Sequence, residues 1–177
     1  RSIHNCPFCH GYEVHGQSLG VLLPNGREAH FVLMIHNLSK KLKIFTNGPS
    51  TIPPEWTKTF ETQGVAIIES EIEKIEHDEN GQMKSITLKD ETKHAIDCFF
   101  VRAPFEQHTS VPKDFGCTIN PMGLIQVDDF QKTTIPGVFA AGDNTTFLRS
   151  LSIAIGAGTK TAGFILQELL AEKITKF

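Results

Sequence analysis

Cys6 and Cys9 stand two residues apart in HNCPFCHGYEVHG, residues 4–16, and His10 follows the second cysteine directly. Two thiols at this spacing can close a small disulfide ring, and a helix start beneath them stabilises a thiolate through its free N–H groups. An imidazole titrates near neutral pH, so His10 is a candidate to carry the thiol proton. Two other chemistries fit the same residues. Cys6 and Cys9 with His4 or His10 could hold zinc, although a closed zinc site usually shows a second ligand pair at similar spacing. Here Cys98 and Cys117 stand alone and far along the chain. The pair could also be inert core thiols, because free cysteine packs as a small hydrophobe. Pattern alone puts redox chemistry first and leaves all three open.

The elements that must hold this pair are visible in the apolar pattern. LGVLL (19–23) is a buried strand by its length. In NGREAHFVLMIHNLS (25–39), Ala29, Phe31, Val32, Ile35 and Leu38 fall near helical spacing, and KLKIF (41–45) is the next strand, closed by the turn TNGPS. Strand, glycine turn, helix and strand make a βαβ unit, which favours a parallel sheet. PPEWTKTFETQG (53–64) has proline at its start and glycine at its end, the asymmetry of a short helix. Trp56 and Phe60, four apart on it, form a packing pair. VAIIES, IEKIEHDENGQMKSITL and HAIDCFFV are strands, with a hairpin signal at ENGQ, and are expected to form a β-meander over the βαβ unit. RAPFEQHTSVPKDFG (102–116) is a linker, GLIQVDD and GVFAAGD are two expected strands, and residues 150–174 a long terminal helix.

Composition narrows the class. The chain has 177 residues, 40% apolar and 21% charged, as a globular protein has. A formal net charge of −3 and the lack of a basic run give no footprint for nucleic acid. No apolar stretch is long enough to span a bilayer, so no membrane partner is expected. Residues 1–16 carry polar and charged groups where a secretory signal has its apolar core. Four cysteines are too few for a disulfide scaffold, so a cytoplasmic, reducing compartment is the expectation.

TTIPGVFAAGD, residues 133–143, resembles the closing flavin-binding motif of the thioredoxin reductase family. In that family the strand ends with an aspartate beside the FAD ribityl–phosphate region, and Asp143 matches it. Gly142 would let the backbone approach the cofactor. RSLSIAIGAG, residues 149–158, resembles the next stretch, where an arginine and a helix N-terminus approach the flavin ring, so Arg149, Ser150 and Leu151 are implied there. With the upstream Cys-x-x-Cys, three motifs stand in the family's order over nearly the whole chain. The resemblance implies an α/β fold. Residues 1–16 would be a redox segment and 17–103 a Rossmann-like nicotinamide-type domain with a β-meander. Residues 104–177 would be the C-terminal part of an FAD-binding Rossmann-like domain. It also implies FAD as cofactor, with Cys9 the flavin-proximal thiol and Cys6 the thiol that exchanges with substrate. The partner implied is a small dithiol or a thioredoxin-like protein, and the assembly a homodimer. CPFCHGYE, with His10 where reductases often carry aspartate, is similar to the branch of gliotoxin and holomycin dithiol oxidases. His108, in the connection back to the flavin domain, is a second acid–base candidate.

Two features depart from the family pattern. Reductases of the family carry G-x-G-x-x-A after the strand. Here the matching residues are PNGREA (24–29), with Gly26 and Ala29 kept and Pro24 in place of the first glycine, whose torsions proline cannot copy. No basic clamp follows the second strand, where NADPH users show one. NADPH or NADH use is therefore not carried over, and an O₂-coupled dithiol oxidase with a silent nucleotide domain stands as an alternative. A non-catalytic redox or partner-binding module is a further one. The family also opens with a strand and a G-x-G-x-x-G loop for the FAD pyrophosphate. The resemblance here starts at the cysteines, so the chain is expected to carry the C-terminal portion alone.

Overall fold

Strands with no polar alternation need a sheet covered on both faces, and the sequences LGVL, LKIF and CFFV are of this kind. The computed structural model describes residues 1–24, 28–103 and 105–174. The backbone divides into two compact units, Arg1–Ala103 and Pro104–Phe177. In the first, the strands are β1 (Ile3–His4), β2 (Leu19–Leu22), β3 (Leu42–Phe45), β4 (Ala66–Ile68), β5 (Ile72–His77), β6 (Met83–Leu88), β7 (Lys93–Ala95) and β8 (Cys98–Val101). The helices of this unit are α1 (Pro7–His10), α2 (Ala29–His36) and α3 (Pro54–Thr62). Five strands form one parallel sheet in the order β1-β8-β2-β3-β4, and β5-β6-β7 form an antiparallel sheet.

The two faces of the parallel sheet belong to different cores. Leu19, Val21, Ile44, Cys98 and Phe100 pack with Val32 and Ile35 of α2 and Phe60 of α3. Phe45 and Phe99 pack with Met83, Ile86 and Leu88 of β6 on the other face. Cys98, Phe99 and Phe100 thus alternate between cores, as the two-residue period of a strand requires. Gly20 makes room for this packing, because a Cβ there would lie 2.5 Å from the ring of Phe99. The rings of Phe99 and Phe45 meet edge to face, 5.5 Å between centroids. Removing one such buried ring costs about 3–5 kcal/mol.

The expected meander proves shorter than the pattern suggested. VAIIES supplies β4, which pairs parallel with β3, and HAIDCFFV divides into β7 of the meander and β8 of the main sheet. Asp97 marks the division. Its carboxylate accepts the backbone N–H of Ser18 at 2.9 Å, and the Ser18 hydroxyl donates to Ala95 O, which ties the start of β8 to the start of β2. Ser2 performs the same task for β1. It is buried, its carbonyl accepts Phe99 N–H, and its hydroxyl accepts Met83 N–H.

In the second unit, α4 (Val111–Asp114) and α5 (Leu151–Ile174) are joined by turns. GLIQVDD and GVFAAGD, expected as strands, form only the isolated bridges Ile119↔Ile125 and Lys132↔Phe139 among the described residues. Side chains close the turns beside them. Asp128 accepts the N–H of Phe130 and Lys132, and Asn120 those of Met122 and Leu124. The terminal helix runs for 24 residues, and no described residue on it is buried. No helix among the described residues is long and apolar enough to cross a membrane.

Candidate functional site

β1 delivers the chain to the cysteine turn. Cys6 is the N-cap of the single-turn α1, Pro7 occupies its first position, and Cys9 N–H donates to Cys6 O at 3.3 Å. Gly11 ends the helix. A Cβ there would lie 2.3 Å from Pro7 O and 2.8 Å from a Leu38 methyl, so only glycine lets the turn seat against the loop after α2. Gly11 and Val14 are buried, whereas Phe8, Cys9, His10 and Tyr12 are exposed and Cys6 is half-buried. The sequence therefore builds a shallow turn with buried anchors and presented thiols.

Both cysteines are free thiols, with their sulfurs 2.7 Å apart, and Cys9 donates its S–H to Cys6. That hydrogen bond holds the Cys9 thiol above its ordinary value, and desolvation and the neighbouring sulfur act in the same direction. His4, weighed in the sequence only as a zinc ligand, stacks on His10 with 4.2 Å between centroids and 24° between planes. Burial, and then the charge of His10, hold the His4 imidazole below its ordinary value. Spacing gave no hint of this contact, because a residue on β1 meets one on α1 only through the turn. Among the described residues no three His, Cys, Asp or Glu gather where a metal ion could bind. Cys98 is buried in the core, which pushes its thiol up to about 11, and Cys117 donates to Thr133 Oγ1.

The second cluster lies in the second unit. Gly142 has φ +92, a conformation that strains any side chain. The backbone and hydroxyl of Thr145 both donate to Gly142 O, and the following Asp143 is exposed. Gln107, which the sequence did not single out, donates to Gly123 O at 2.9 Å and Asn144 O at 3.2 Å and so holds this loop. The Asn144 side-chain oxygen is buried without a partner. Arg149 lies over the Phe105 ring at 4.2 Å, Ser150 Oγ accepts Ile153 N–H as a cap on α5, and Leu151 is exposed. His108 is exposed on the connector.

At the nucleotide-type loop, Gly26 and Arg27 lie outside the described residues. Ala29 is buried in the core, which allows α2 to lie close on the sheet. Glu28 is the N-cap of α2, and Arg102, at the end of β8, pairs with its carboxylate at 3.3 Å while covering the Phe31 ring at 5.4 Å. Pro24 and Glu28 are the described residues on either side of that loop.

Comparison with known proteins places the chain in a family. The family model for pyridine nucleotide-disulphide oxidoreductases matches residues 23–158. A thioredoxin reductase of Claviceps purpurea, tcpT, is 28% identical over 179 residues, which cover 97% of this chain and 56% of the relative. A thioredoxin reductase of Aspergillus oryzae, aclD, is 28% identical over 188 residues, covering 99% and 59%. The crystal structure of an oxidoreductase from Agrobacterium tumefaciens, 25% identical, superposes with a TM-score of 0.84 over 96% of this chain and 56% of that one. The chain thus spans little more than half the length of the proteins it matches. It belongs to the pyridine nucleotide-disulphide oxidoreductase family, with the Rossmann-like α/β fold of the thioredoxin reductases.

Proposed function

We propose that the protein carrying this chain is an FAD-dependent dithiol/disulfide oxidoreductase in which Cys6 and Cys9 exchange electrons with a thiol or disulfide substrate. The observation that carries this reading is the presented thiol pair, with Cys9 donating to Cys6 across 2.7 Å. In the reducing direction the Cys6 thiolate attacks one sulfur of the substrate disulfide, and the first substrate thiolate leaves. Cys9 then attacks the Cys6 sulfur, the second thiolate leaves, and the proton of Cys9 passes through His10 to it. Two electrons move from the dithiol to the substrate, and dithiol oxidation is the same sequence reversed.

FAD, when bound, supplies a two-electron carrier for the dithiol. The residues of the second unit fit such a group. Gly142 keeps the backbone bare, Asp143 offers an exposed carboxylate to a sugar hydroxyl, and the buried, unpartnered Asn144 Oδ1 is an acceptor that lacks its donor. Ser150 and Leu151 begin the long helix there, and Arg149 stands beside them. A small dithiol or a thioredoxin-like protein is the substrate class, in a cytoplasmic homodimer.

The Glu28–Arg102 pair and Pro24 favour one version of this reading, in which the nucleotide-type domain is a scaffold. Electrons then enter from the substrate dithiol and leave to O₂ as hydrogen peroxide. Anaerobic titration of the full-length protein, followed by flavin absorbance, tests this. Bleaching by a dithiol and not by NADPH or NADH is expected, and Cys6→Ser abolishes it. Rapid bleaching by NADPH would replace the oxidase version with a reductase. Unchanged function in Cys6→Ser would reduce the chain to a non-catalytic module.

A further inference from the structure

α1 is a single turn of four residues, and a helix so short does not keep its shape without tertiary contacts. The loop between α2 and β3, residues 37–41, supplies them. Leu38 lies beside Gly11, where a Cβ would meet its methyl at 2.8 Å, and Leu38 O accepts the N–H of Gly16 at 3.0 Å. Ser39 follows and is only 5% exposed. Its hydroxyl donates to Gln17 O at 2.6 Å and accepts the N–H of Lys41 at 3.1 Å, so one oxygen joins the segment after the cysteines to the approach to β3. Gln17 carries the tie back towards the turn, with its side chain donating to Glu13 O at 3.0 Å and its backbone to Val14 O at 3.2 Å. The loop is itself held from behind. The N–H groups of Leu38 and Ser39 both donate to Ile35 O of α2, and Lys41 O accepts Leu19 N–H at the start of β2.

We propose that Leu38 and Ser39 are positioning residues for the dithiol: seated under Gly11, Gly16 and Gln17, they fix the segment that leaves the cysteines and so keep Cys9 facing Cys6. This rests on the exchange chemistry proposed above. In that exchange the dithiol passes two electrons to a disulfide. One bond forms between the Cys6 and Cys9 sulfurs, the substrate S–S bond breaks, and its two sulfurs leave as thiols carrying the two thiol protons. The first attack, by Cys6, needs no help from Cys9. Ring closure does, and its yield depends on the effective concentration of Cys9 at the Cys6 mixed disulfide, which the rigidity of the turn sets. A turn that loses its buried ties samples more positions, so closure weakens while attack by Cys6 does not. Neither Leu38 nor Ser39 needs to touch a sulfur for this; both act through the backbone of the turn.

Equilibration of the full-length protein with glutathione and glutathione disulfide, in the absence of oxygen, tests this. The oxidised fraction is read by alkylation trapping and mass spectrometry, and the rate of Cys6 alkylation by iodoacetamide is read separately on the reduced protein. Ser39→Ala should lower the equilibrium constant for ring closure about tenfold, which is about 30 mV in reduction potential, and leave Cys6 alkylation unchanged. Leu38→Ala should act in the same direction. Ile86→Val, which thins the core on the other face of the sheet, should lower stability and leave the equilibrium where it was. A wild-type equilibrium in Ser39→Ala, or an equal shift in Ile86→Val, overturns the inference. Should Ser39→Ala fail to fold, Leu38→Ala decides it, a shift supporting the inference and a wild-type equilibrium overturning it. A wild-type protein whose dithiol glutathione disulfide does not oxidise would overturn the exchange chemistry beneath, and this inference with it.

Discussion

The sulfurs of Cys6 and Cys9 lie 2.7 Å apart at the head of α1, with Cys6 half-buried and Cys9 exposed. In the exchange proposed above, Cys6 attacks and Cys9 resolves. Cys9, the donor, keeps its proton. Cys9→Ser should therefore leave an attacking Cys6 with nothing to resolve it, and a Cys6 mixed disulfide with substrate should accumulate and be visible by mass spectrometry. Cys6→Ser should form no adduct and lose turnover by at least about a thousandfold, as loss of a nucleophile does.

Gly11 is the anchor of that turn. Its Cβ position is blocked by Pro7 O at 2.3 Å and by Leu38 at 2.8 Å. Gly11→Ala should destabilise the protein by about 1–3 kcal/mol in denaturant unfolding, the usual cost of overpacking, and should loosen the thiol turn. A neutral outcome would mean that the turn does not need its seat on Leu38.

Glu28 stands at the N-cap position of α2 without a side-chain capping bond, and its carboxylate engages Arg102 at 3.3 Å. Calorimetric titration with NADPH should show no saturable binding. Glu28→Gln should improve any residual binding by only about fivefold, the size of one exposed charge, because Pro24 still stands in place of the first glycine. Tight NADPH binding by the unaltered protein would contradict the scaffold reading.

Glu76 sets an acid limit on the first unit. Hydrogen bonds from Lys93 and Ser85 lower its carboxyl from 4.5 to about 2. A carboxyl lowered by folding contributes stability above its unfolded value, and that contribution fades as pH falls from 4.5 towards 2. Thermal unfolding of Glu76→Gln should lose less on acidification through this window than that of wild type. Parallel acid profiles would mean that the pairing is too exposed to matter.

Much of this was readable from residue order. Local periodicity determined β2, α2, β3 and α3, because apolar spacing records which face is buried and proline and glycine mark the ends. Cys6, Cys9, His10, Gly142 and Asp143 could be singled out as candidates because they sit in short contiguous motifs. The tertiary structure alone decided the rest. It put β8 between β1 and β2, and not in the meander, since CFFV has no alternation to tell a buried parallel strand from a hairpin strand. It withheld ladders from GLIQVDD and GVFAAGD, which make isolated bridges and scattered backbone bonds to neighbouring turns. It brought His4 onto His10, Glu28 against Arg102, and Gln107 onto the Asn144 loop, pairs whose separation along the chain leaves no periodic trace. A sequence records what each residue prefers locally, and contacts that pass through a sheet edge or a turn exist only once the chain has folded.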